Sequence, residues 1–418
     1  MEDELGIAAL NRRRLLGTAG AAGALLAGGS LLAGCSGDDD DTDAAPNTTS
    51  GDGSDTTGGG GGDNETAVDL VQDDLPQIDW EMTTSWPAGL ATLFGTEDNG
   101  VGAVGFAQLV GELSGGRFTI QAFQAGELAG ALEVIDVLQS GAVPAGHTAS
   151  YYYNGKSPAF AFGTAVPFGL TYRQQFSWLY YYRDDQGRSG LDMLREFYAN
   201  EYNVINFPAG NTGCQMGGFF NREITSLDDL QGIVMRIPGL GGEIMTRLGV
   251  TTQNLAGGEI AQALQTNAID AAEFVGPYDD NTLGLGEAGD FYYYPGWWEP
   301  GATLDVFVSL DAYNELPDEY KGILEIAAQL SYLRMMGYYD SIQPYALAEI
   351  EADGAELRAF PDDVMAAAQS EAETLLDELA AEDQNFATIL EHWRPYRDAV
   401  QPWHGTAELS MLRAGAGE

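Results

Sequence analysis

Apolar residues recur along the chain with two alternating periods, and this alternation is the main evidence for the fold. Short apolar and aromatic runs, such as residues 80–86 and 118–123, have the length and composition of β-strands. Between them, residues 102–113 place Phe106 and Leu109 at helical spacing, and glycines follow and end this segment. Strand, helix and strand in this order predict a βαβ unit and a mostly parallel sheet covered by helices.

The alternation continues toward the C-terminus and predicts further elements. These are helices over residues 128–139, 176–200, 362–379 and 385–400, and a strand over residues 203–207. Residues 151–156 and 160–170 are rich in aromatic side chains and are interpreted as loops. Their aromatic rings either fill the core or line a ligand pocket.

One helical segment is unusually long. Residues 316–353 keep an apolar helical period through Leu330 and Leu333, and Pro317 stands where the first turn of a helix tolerates proline. Pro344 is predicted to kink or break the helix. A helix of this length exceeds the thickness of a single layer of a domain.

Polar side chains are concentrated in residues 211–299. Amides at Asn211 and Gln215, the guanidinium of Arg236 and the carboxylate of Glu273 stand at the edges of apolar, strand-like runs. Glycines flank these runs and let a ligand approach the backbone closely. This arrangement indicates a pocket for a small anion.

Composition restricts the partners of the chain. Its 418 residues contain 18 Lys and Arg against 63 Asp and Glu, for a formal net charge of −45, and Lys156 and Lys321 are the only lysines. So negative a surface excludes nucleic acid as a partner. Carboxylates are spread along the whole chain, which is typical of a surface adapted to high salt, where counterions screen the self-repulsion.

An export signal is predicted at residues 1–35. Arg12 to Arg14 precede a weakly apolar run of Ala, Gly and Leu, and small residues lead to Cys35. These features are typical of exported proteins. Paired arginines are typical of proteins exported by the twin-arginine route. The residues before Cys35 resemble a lipobox, so Cys35 is predicted to carry a lipid after cleavage. The alternative is an uncleaved membrane anchor over residues 15–34.

Residues 36–75 are interpreted as a disordered acidic linker. They consist mainly of Asp, Thr, Gly, Ser and Asn, with five consecutive glycines at 58–62. Such a segment buries too little apolar surface to offset its ordering entropy. If Cys35 is lipidated, only Cys214 remains, and no histidine lies near it in sequence. Cys214 is therefore predicted to be a small buried packing residue.

Several separated motifs resemble the solute-binding proteins of tripartite ATP-independent periplasmic (TRAP) transporters, in the branch that binds 2-oxo acids such as pyruvate and, in close relatives, lactate. The motifs occur in the same order as in that family, at residues 160–170, 210–222, 235–237, 257–260, 270–280 and 292–299. The resemblance extends over about residues 81–401.

The resemblance implies an α/β protein with the two-lobe periplasmic-binding-protein (Venus flytrap) fold, in which each lobe is a sheet flanked by helices and a long helix crosses both lobes. Lobe I is expected to comprise residues 76–204 with about 275–315, and lobe II residues 205–274 with about 340–400. Residues 316–353 form the long connecting helix. The C-terminal helices resemble those that pair two protomers in some relatives, so a homodimer is plausible.

The resemblance also implies roles for individual residues. Arg236 corresponds to the arginine that holds the ligand carboxylate, as suits a planar guanidinium. A cation, Na⁺ or Ca²⁺, bridges protein and ligand, and its protein ligands correspond to Gln215 and Glu273 through their side chains and to Phe274 through its main-chain oxygen. Tryptophan is frequent in the family where Phe274 stands. Asn211 corresponds to a further residue that contacts the ligand in that branch. A tyrosine is also implied to donate to the ligand, and Tyr151 and Tyr152 are the candidates.

The predicted function is therefore to capture a small monocarboxylate outside the cell and deliver it to the membrane permease of a TRAP transporter, without catalysis. Several alternatives stay open. Arg236 could form a structural ion pair, and Asn211 could form a turn. A metal-assisted hydrolase or lyase could use Glu273 and Cys214, although the sequence has no nucleophile–histidine motif or Walker-type motif. The aromatic residues 292–298 could form a sugar-binding platform.

Overall fold

The computed structural model describes residues 74–417, which form two β-sheets surrounded by helices. The strands are β1 (Ile78–Thr84), β2 (Phe118–Ala122), β3 (Ala145–Thr148), β4 (Val204–Asn211), β5 (Gly218–Phe220), β6 (Val234–Arg236), β7 (Thr251–Gln253), β8 (Ala271–Ala272), β9 (Phe291–Tyr294), β10 (Thr303–Ser309) and β11 (Glu356–Ala359). The predictions for residues 1–73, which include lipidated Cys35 and all but the last two residues of the linker, lie outside the described residues.

The helices lie between and after these strands, in several places two or three in succession. They are α1 (Gly102–Leu113), α2 (Val134–Gln139), α3 (Ala161–Thr164), α4 (Tyr172–Tyr180), α5 (Gly190–Tyr202), α6 (Gly239–Arg247), α7 (Gly257–Gln265), α8 (Pro277–Thr282), α9 (Leu310–Glu315), α10 (Asp318–Ala352), α11 (Asp362–Glu382), α12 (Gln384–His404) and α13 (Ser410–Ala416). Within residues 74–417, no helix is long and apolar enough to cross a membrane.

The first sheet has the strand order β2-β1-β3-β10-β4. Strands β1, β2 and β3 are parallel, with Met82 beside both Ala122 and Ala145. Strand β10 runs antiparallel to β3 and β4. The βαβ unit predicted from the first apolar runs is confirmed, because β1, α1 and β2 follow one another and β1 pairs with β2 in parallel.

The second sheet has the order β11-β9-β5-β8-β6-β7. Successive side chains of a strand point to opposite faces of the sheet. Phe219 therefore packs in one apolar core of the protein and its neighbour Phe220 in the other. Each core also contains residues of the first sheet, such as Phe307 in one and Val306 in the other. Both cores therefore run continuously from one sheet to the other.

Strand pairing shifts the expected lobe boundaries. Strand β4 stays in the first sheet as far as Asn211, and β9 belongs to the second sheet. The chain therefore changes sheet after Asn211 and again between Tyr294 and Thr303, rather than near residues 204 and 275. The division into two lobes itself stays a prediction.

The long helix predicted over residues 316–353 is confirmed as α10, which continues through Pro344 without a break. Its role in connecting two lobes stays a prediction. Its buried side contains Tyr332, whose hydroxyl donates to the carbonyl oxygen of Tyr172 at 2.7 Å. Leu330 and Leu333 are 37% and 66% exposed, so they lie off the buried face although they continue the apolar period. The apolar pattern identified the helix correctly, and the polar anchoring of Tyr332 helps to set which side is buried.

Three local predictions were wrong. The helix expected over residues 128–139 begins only at Val134, because the preceding residues form a turn in which the Glu133 carboxylate accepts from the Gly130 amide at 3.1 Å. The helix expected over residues 176–200 is two helices, α4 and α5, separated by a turn around Asp184. The aromatic segments expected as loops contain short helical turns over Ser150–Tyr153 and Pro158–Phe160, followed by α3.

A buried carboxyl group in the first sheet gives a prediction about pH. Asp305 on β10 is fully buried beside the Asn206 amide, which donates to it at 3.0 Å, and burial raises the pKa of Asp305 from its ordinary 3.8 to about 7. The folded state therefore holds a proton that the unfolded chain releases, and Asp305 lowers stability as pH rises from about 4 to 7. Asp305→Asn is expected to flatten the pH dependence of Tm in this range. Calorimetry of both proteins from pH 4 to 8 checks it, and parallel curves would contradict it.

Candidate functional site

Arg236 is a buried charge at the end of β6. It is 1% exposed, and β6 lies between β7 and β8 in the second sheet. Its Nε donates to the carbonyl oxygen of Leu255 at 3.1 Å, and its Nη1 donates to both the carbonyl oxygen and the Oε1 of Glu273, at 2.8 and 2.5 Å. Its Nη2 is buried with no hydrogen-bond partner among residues 74–417.

The ion pair that sequence reasoning left as an alternative for Arg236 is therefore present, but it uses only one side of the guanidinium. Glu273 is fully buried, and burial raises its pKa to about 7, against the opposing effects of Arg236 and Trp298. Burial lowers the pKa of Arg236, but Glu273 and further neighbours outweigh this effect and raise it. Arg236 stays charged, and its Nη2 faces the site, where burial raises the pKa of the neighbouring Tyr152 and Arg236 lowers it.

Two buried oxygen atoms near this pair have no hydrogen-bond partner among the described residues. One is Oε1 of Gln215, whose Nε2 donates to the hydroxyl of Thr212 at 3.0 Å; the other is Oε2 of Glu273. Buried polar atoms are normally satisfied, so each of these acceptors can take a further partner. The indole N–H of Trp298, which lowers the pKa of Glu273, is also buried without a hydrogen-bond partner among the described residues. A hard cation such as Na⁺ or Ca²⁺ fits the two acceptors, because both are oxygens.

The predicted cation ligands do not form an acidic cluster. Among residues 74–417 there is no group of three or more His, Cys, Asp or Glu side chains placed to hold a metal. A set made of one carboxylate, one amide oxygen and one main-chain oxygen needs no such group. Phe274 follows Glu273 directly in the chain and is 5% exposed, and the centroid of its ring lies 5.6 Å from the guanidinium carbon of Arg236.

Tyr151 and Tyr152 belong to the wall of the same site. Their rings meet edge to face with centroids 5.0 Å apart. Both line a small pocket together with Gln215 and Phe274, and Trp86, Leu93, Ala149, Thr212, Val275, Ala302 and Leu304 complete its lining. Residues from both sheets and from the segments that join them therefore converge on one enclosed, largely apolar space with a few polar groups, as is typical of small-molecule sites.

Asn211 lies at the edge of this region, and its side chain is occupied within the protein. Its Nδ2 donates to the carbonyl oxygen of Gly301 and to the hydroxyls of Thr303 and Tyr332, at 2.9 to 3.2 Å. Its Oδ1 accepts from the amide of Gly213 at 2.8 Å. The turn-forming alternative is therefore confirmed, and the ligand contact of Asn211 stays a prediction.

Glu299 is the residue that sequence reasoning missed. It closes the aromatic stretch 292–299, is 3% exposed, and its Oε2 has no hydrogen-bond partner among the described residues. Burial, followed by the negative charge of Glu273, raises the pKa of Glu299 well above its ordinary value, while Tyr151 and Arg236 lower it. The only signal in the sequence is a carboxylate directly after two tryptophans, in a segment whose aromatic residues predict packing rather than a binding site.

A comparison with sequence families decides the class of protein. The profile of the DctP family, bacterial extracellular solute-binding protein family 7, matches residues 96–383. The chain belongs to this family. The match covers both sheets apart from β1 and contains every predicted site residue except the lipidation site Cys35.

Relatives of this DctP-family protein agree with the assignment. A monocarboxylate 2-oxoacid-binding periplasmic protein of Nostoc sp. is 50% identical over 346 residues, which cover 83% of this chain and 91% of that protein. A TRAP periplasmic solute-binding protein from Colwellia psychrerythraea, solved with calcium and pyruvate, is 34% identical with a TM-score of 0.74, covering 81% of this chain and 99% of that one. One from Pseudoalteromonas atlantica, solved with sodium and pyruvate, is 35% identical with a TM-score of 0.74 and the same coverage.

The expectation for Cys214 was wrong. In this solute-binding protein Cys214 is exposed rather than buried in the core, and its thiol contacts the carbonyl oxygen of Gln215 at 3.8 Å. Desolvation by its surroundings raises the pKa of the thiol, which disfavours the nucleophilic thiolate. The raised pKa therefore argues against Cys214 as a nucleophile.

The aromatic stretch is mostly interior. Tyr292, Tyr293, Trp297 and Trp298 are each at most 3% exposed, and Tyr292 stacks on Phe219 with ring centroids 4.2 Å apart. A sugar-binding platform needs exposed aromatic faces, and these rings are occupied by protein contacts. Most of these aromatic side chains therefore serve packing.

Gly296 is predicted to be essential to the cation site of this DctP-family protein. A Cβ at Gly296 would lie 2.6 Å from the carbonyl oxygen of Met216 and 2.8 Å from that of Gln215, and backbone atoms cannot move aside cheaply. Gly296→Ala is expected to lower the unfolding free energy by about 1 to 3 kcal/mol and to weaken Ca²⁺ binding by shifting Gln215.

Thermal unfolding and calorimetric Ca²⁺ titration measure the two effects of Gly296→Ala. Gly337→Ala on α10 is the control, because a Cβ there meets nothing within 4 Å. This control should keep cation affinity and gain about 0.5 to 1 kcal/mol from helix propensity. Unchanged Ca²⁺ affinity in Gly296→Ala would contradict the prediction.

Proposed function

We propose that this protein is the extracytoplasmic receptor of a TRAP transporter, capturing a small monocarboxylate, a 2-oxo acid such as pyruvate or else lactate, with Na⁺ or Ca²⁺ bridging protein and ligand. One observation carries the proposal. Arg236 offers a free buried donor, and Gln215 and Glu273 offer free buried acceptors, in one region of the site. A ligand with one carboxylate and a neighbouring oxygen, together with a cation, satisfies all three groups.

Each residue has a separate task in this proposal. Arg236 holds the ligand carboxylate, while its bonds to Glu273 and Leu255 fix its plane. Gln215, Glu273 and the main-chain oxygen of Phe274 hold the cation, which supplies a positive charge to the ligand oxygens. The hydroxyl of Tyr151 or Tyr152 donates to the ligand. Asn211 positions the turn before Gln215, and its Oδ1 is the atom proposed to reach the ligand.

The ligand is proposed to leave the site chemically unchanged, for transfer to the permease subunits. The relatives support binding and transport, and the raised pKa of the Cys214 thiol disfavours the thiolate that the enzyme alternative would use. The space between the pocket residues is small, about 10 Å³, which is room for about one water molecule. The two lobes or their side chains are therefore proposed to separate when a three-carbon acid enters.

The finer features of location and assembly are also proposals. The twin-arginine signal and lipidated Cys35 would tether the protein at the outer face of the cell membrane, and the charge of −45 suits a high-salt habitat. Exposed apolar side chains near the C-terminus, at Trp403, Met411 and Leu412, are 62% to 70% exposed and support a homodimer formed through the C-terminal helices.

Tryptophan fluorescence tests the function directly. Trp86 lines the pocket, so pyruvate or lactate at micromolar concentration is expected to change the emission when Ca²⁺ or Na⁺ is present. Glucose and galactose should leave the emission unchanged. Proton NMR of the ligand after release should show unaltered pyruvate. Turnover of pyruvate, or a response to sugars alone, would overturn the proposal.

A further inference from the structure

Phe168 has a backbone conformation that a large side chain rarely adopts. Its φ is 52°, in the left-handed region; the other non-glycine residues with positive φ among residues 74–417 are Asn203 and Asn267, and asparagine tolerates this region. Phe168 stands third in a tight turn, closed by the bond from the amide of Gly169 to the carbonyl oxygen of Val166 at 2.9 Å. A positive φ at this position favours glycine. The strain therefore indicates a task for the ring that glycine could not perform.

The ring and the main chain of Phe168 both contact Trp297. The two rings are stacked, with centroids 5.1 Å apart and an angle of 12° between their planes. The amide of Phe168 donates to the carbonyl oxygen of Trp297 at 2.8 Å. Gln401 of α12 fixes the turn from the other side, because its Nε2 donates to the carbonyl oxygens of Phe168 and Gly169, at 2.9 and 3.0 Å. Phe168 thus joins α12 to Trp297.

Trp297 lies in the turn 296–299, which is bonded to the main chain of Gln215. The amide of Gly296 donates to the carbonyl oxygen of Gln215 at 2.9 Å, and the amide of Gln215 donates to the carbonyl oxygen of Glu299 at 3.1 Å. The turn itself is closed by the bond from the amide of Glu299 to the carbonyl oxygen of Gly296 at 2.9 Å. A displacement of this turn therefore also moves Gln215.

The same turn reaches Glu273 through Trp298. The ring of Trp298 meets that of Trp297 edge to face, with centroids 4.8 Å apart. Burial raises the pKa of Glu273, and Trp298 is one of the neighbours that lower it. Phe168 and Trp297 do not themselves line the pocket. Any effect of Phe168 on the site must therefore pass through the turn 296–299.

We infer that Phe168 is a positioning residue of the binding site: its ring holds the turn 296–299, and through this turn Gln215, in the geometry that binds the cation and the monocarboxylate. The inference rests on the proposed function, because Gln215 and Glu273 are cation ligands only under that proposal. Groups outside the ligand shell fix the orientation of the ligands, and a site whose supporting contacts are loose binds weakly.

Phe168→Leu and Phe386→Leu are a matched pair that tests the inference on the full-length chain. Each removes one aromatic ring packed in the same apolar core, but the ring of Phe386 packs on Phe162 instead of on the turn 296–299. Calorimetric titration with CaCl₂, and fluorescence titration with pyruvate at saturating Ca²⁺, measure the two affinities. Phe168→Leu is expected to weaken both by about 5- to 20-fold, near the lower end of what losing an outer contact costs a metal site. Phe386→Leu should keep the wild-type affinities.

Two further variants at position 168 separate the ring from the backbone. Phe168→Tyr keeps the aromatic ring and is expected to retain the wild-type affinities. Phe168→Gly removes the ring but suits the positive φ, so it should fold and should lose affinity as Phe168→Leu does. A role confined to the shape of the turn predicts the opposite, because glycine would then bind Ca²⁺ and pyruvate like the wild type. Thermal unfolding shows whether each variant is folded, and Phe168→Gly takes the place of a Phe168→Leu variant that is not.

The outcomes separate the inference from the proposed function. Wild-type affinities in folded Phe168→Leu or Phe168→Gly, an equal loss in Phe386→Leu, or a loss in Phe168→Tyr as large as in Phe168→Leu, would overturn the role of Phe168. If the wild type binds pyruvate with a cation in any of these cases, the proposed function stands without the inference. If the wild type binds Ca²⁺ but no monocarboxylate, the proposed function fails, and the Ca²⁺ titrations still decide the role of Phe168. A wild type that binds neither overturns both.

Discussion

Replacing Arg236 is expected to abolish most of the affinity for pyruvate. Arg236→Ala should cost about 2 to 5 kcal/mol of binding free energy, because both the ligand carboxylate and the buried Glu273 lose their partner. Arg236→Lys should also bind weakly. A lysine keeps the charge but cannot donate from one planar group to Leu255, Glu273 and the ligand at once. Fluorescence titration with pyruvate at saturating Ca²⁺ measures both variants.

Arg247→Lys is a suitable control for Arg236→Lys. Arg247 is 26% exposed on α6 and pairs with Glu243 and Glu378 at the surface, where one such pair contributes little. The pyruvate affinity of the Arg247→Lys variant should equal that of the wild type. Circular dichroism on all three variants distinguishes a lost contact from a lost fold. Wild-type affinity in a folded Arg236→Lys variant would refute the assignment of Arg236 to the ligand carboxylate.

Glu273→Gln is expected to uncouple pyruvate binding from the cation. The amide preserves the shape of the side chain but removes the negative charge that holds the cation, so added Ca²⁺ or Na⁺ should no longer raise pyruvate affinity. Pyruvate should bind more than tenfold more weakly than to the cation-loaded wild type, a loss above about 1.4 kcal/mol. Titrations with pyruvate at a series of cation concentrations give the coupling directly.

Arg236 keeps one bond in the Glu273→Gln variant, because its Nη1 also donates to the main-chain oxygen of Glu273 at 2.8 Å. The guanidinium should therefore stay in place, and a residual cation-independent affinity is expected. Asp305→Asn serves as the control with a buried carboxyl group outside the pocket. A Glu273→Gln variant whose pyruvate affinity still rises with Ca²⁺ as in the wild type would remove Glu273 from the cation site.

Much of the fold was readable from the sequence because local signals were consistent. The apolar period of α1 and the glycines after it gave its bounds correctly, and the period of α10 identified the longest helix. The errors lie where side chains compete with the helix for backbone groups. Asp184 accepts from the amides of Gln186 and Arg188, and this turn divides the helix that apolar spacing had predicted as continuous.

The site was predictable only in part, because some of its contacts join residues that are far apart in the sequence. Arg236, Gln215 and Glu273 were found through motifs that the family shares, and the structure brings them together. Asn211 was named as a ligand contact, but its neighbours across β10 and α10 occupy its amide, and such long-range bonds leave no trace in sequence spacing. Glu299 was missed because its importance comes from burial beside a second carboxylate.

The bonds between Gln215 and the turn 296–299 also link ligand binding to folding. The two segments are some 80 residues apart in the chain and meet only when the strands between them are paired. The unfolded chain therefore contains no such site, and ligand and cation bind the native state alone. Each tenfold excess of free ligand over its Kd then adds about 1.4 kcal/mol to the unfolding free energy. Outside the cell, receptor molecules that carry a ligand should consequently outlast empty ones in the presence of proteases.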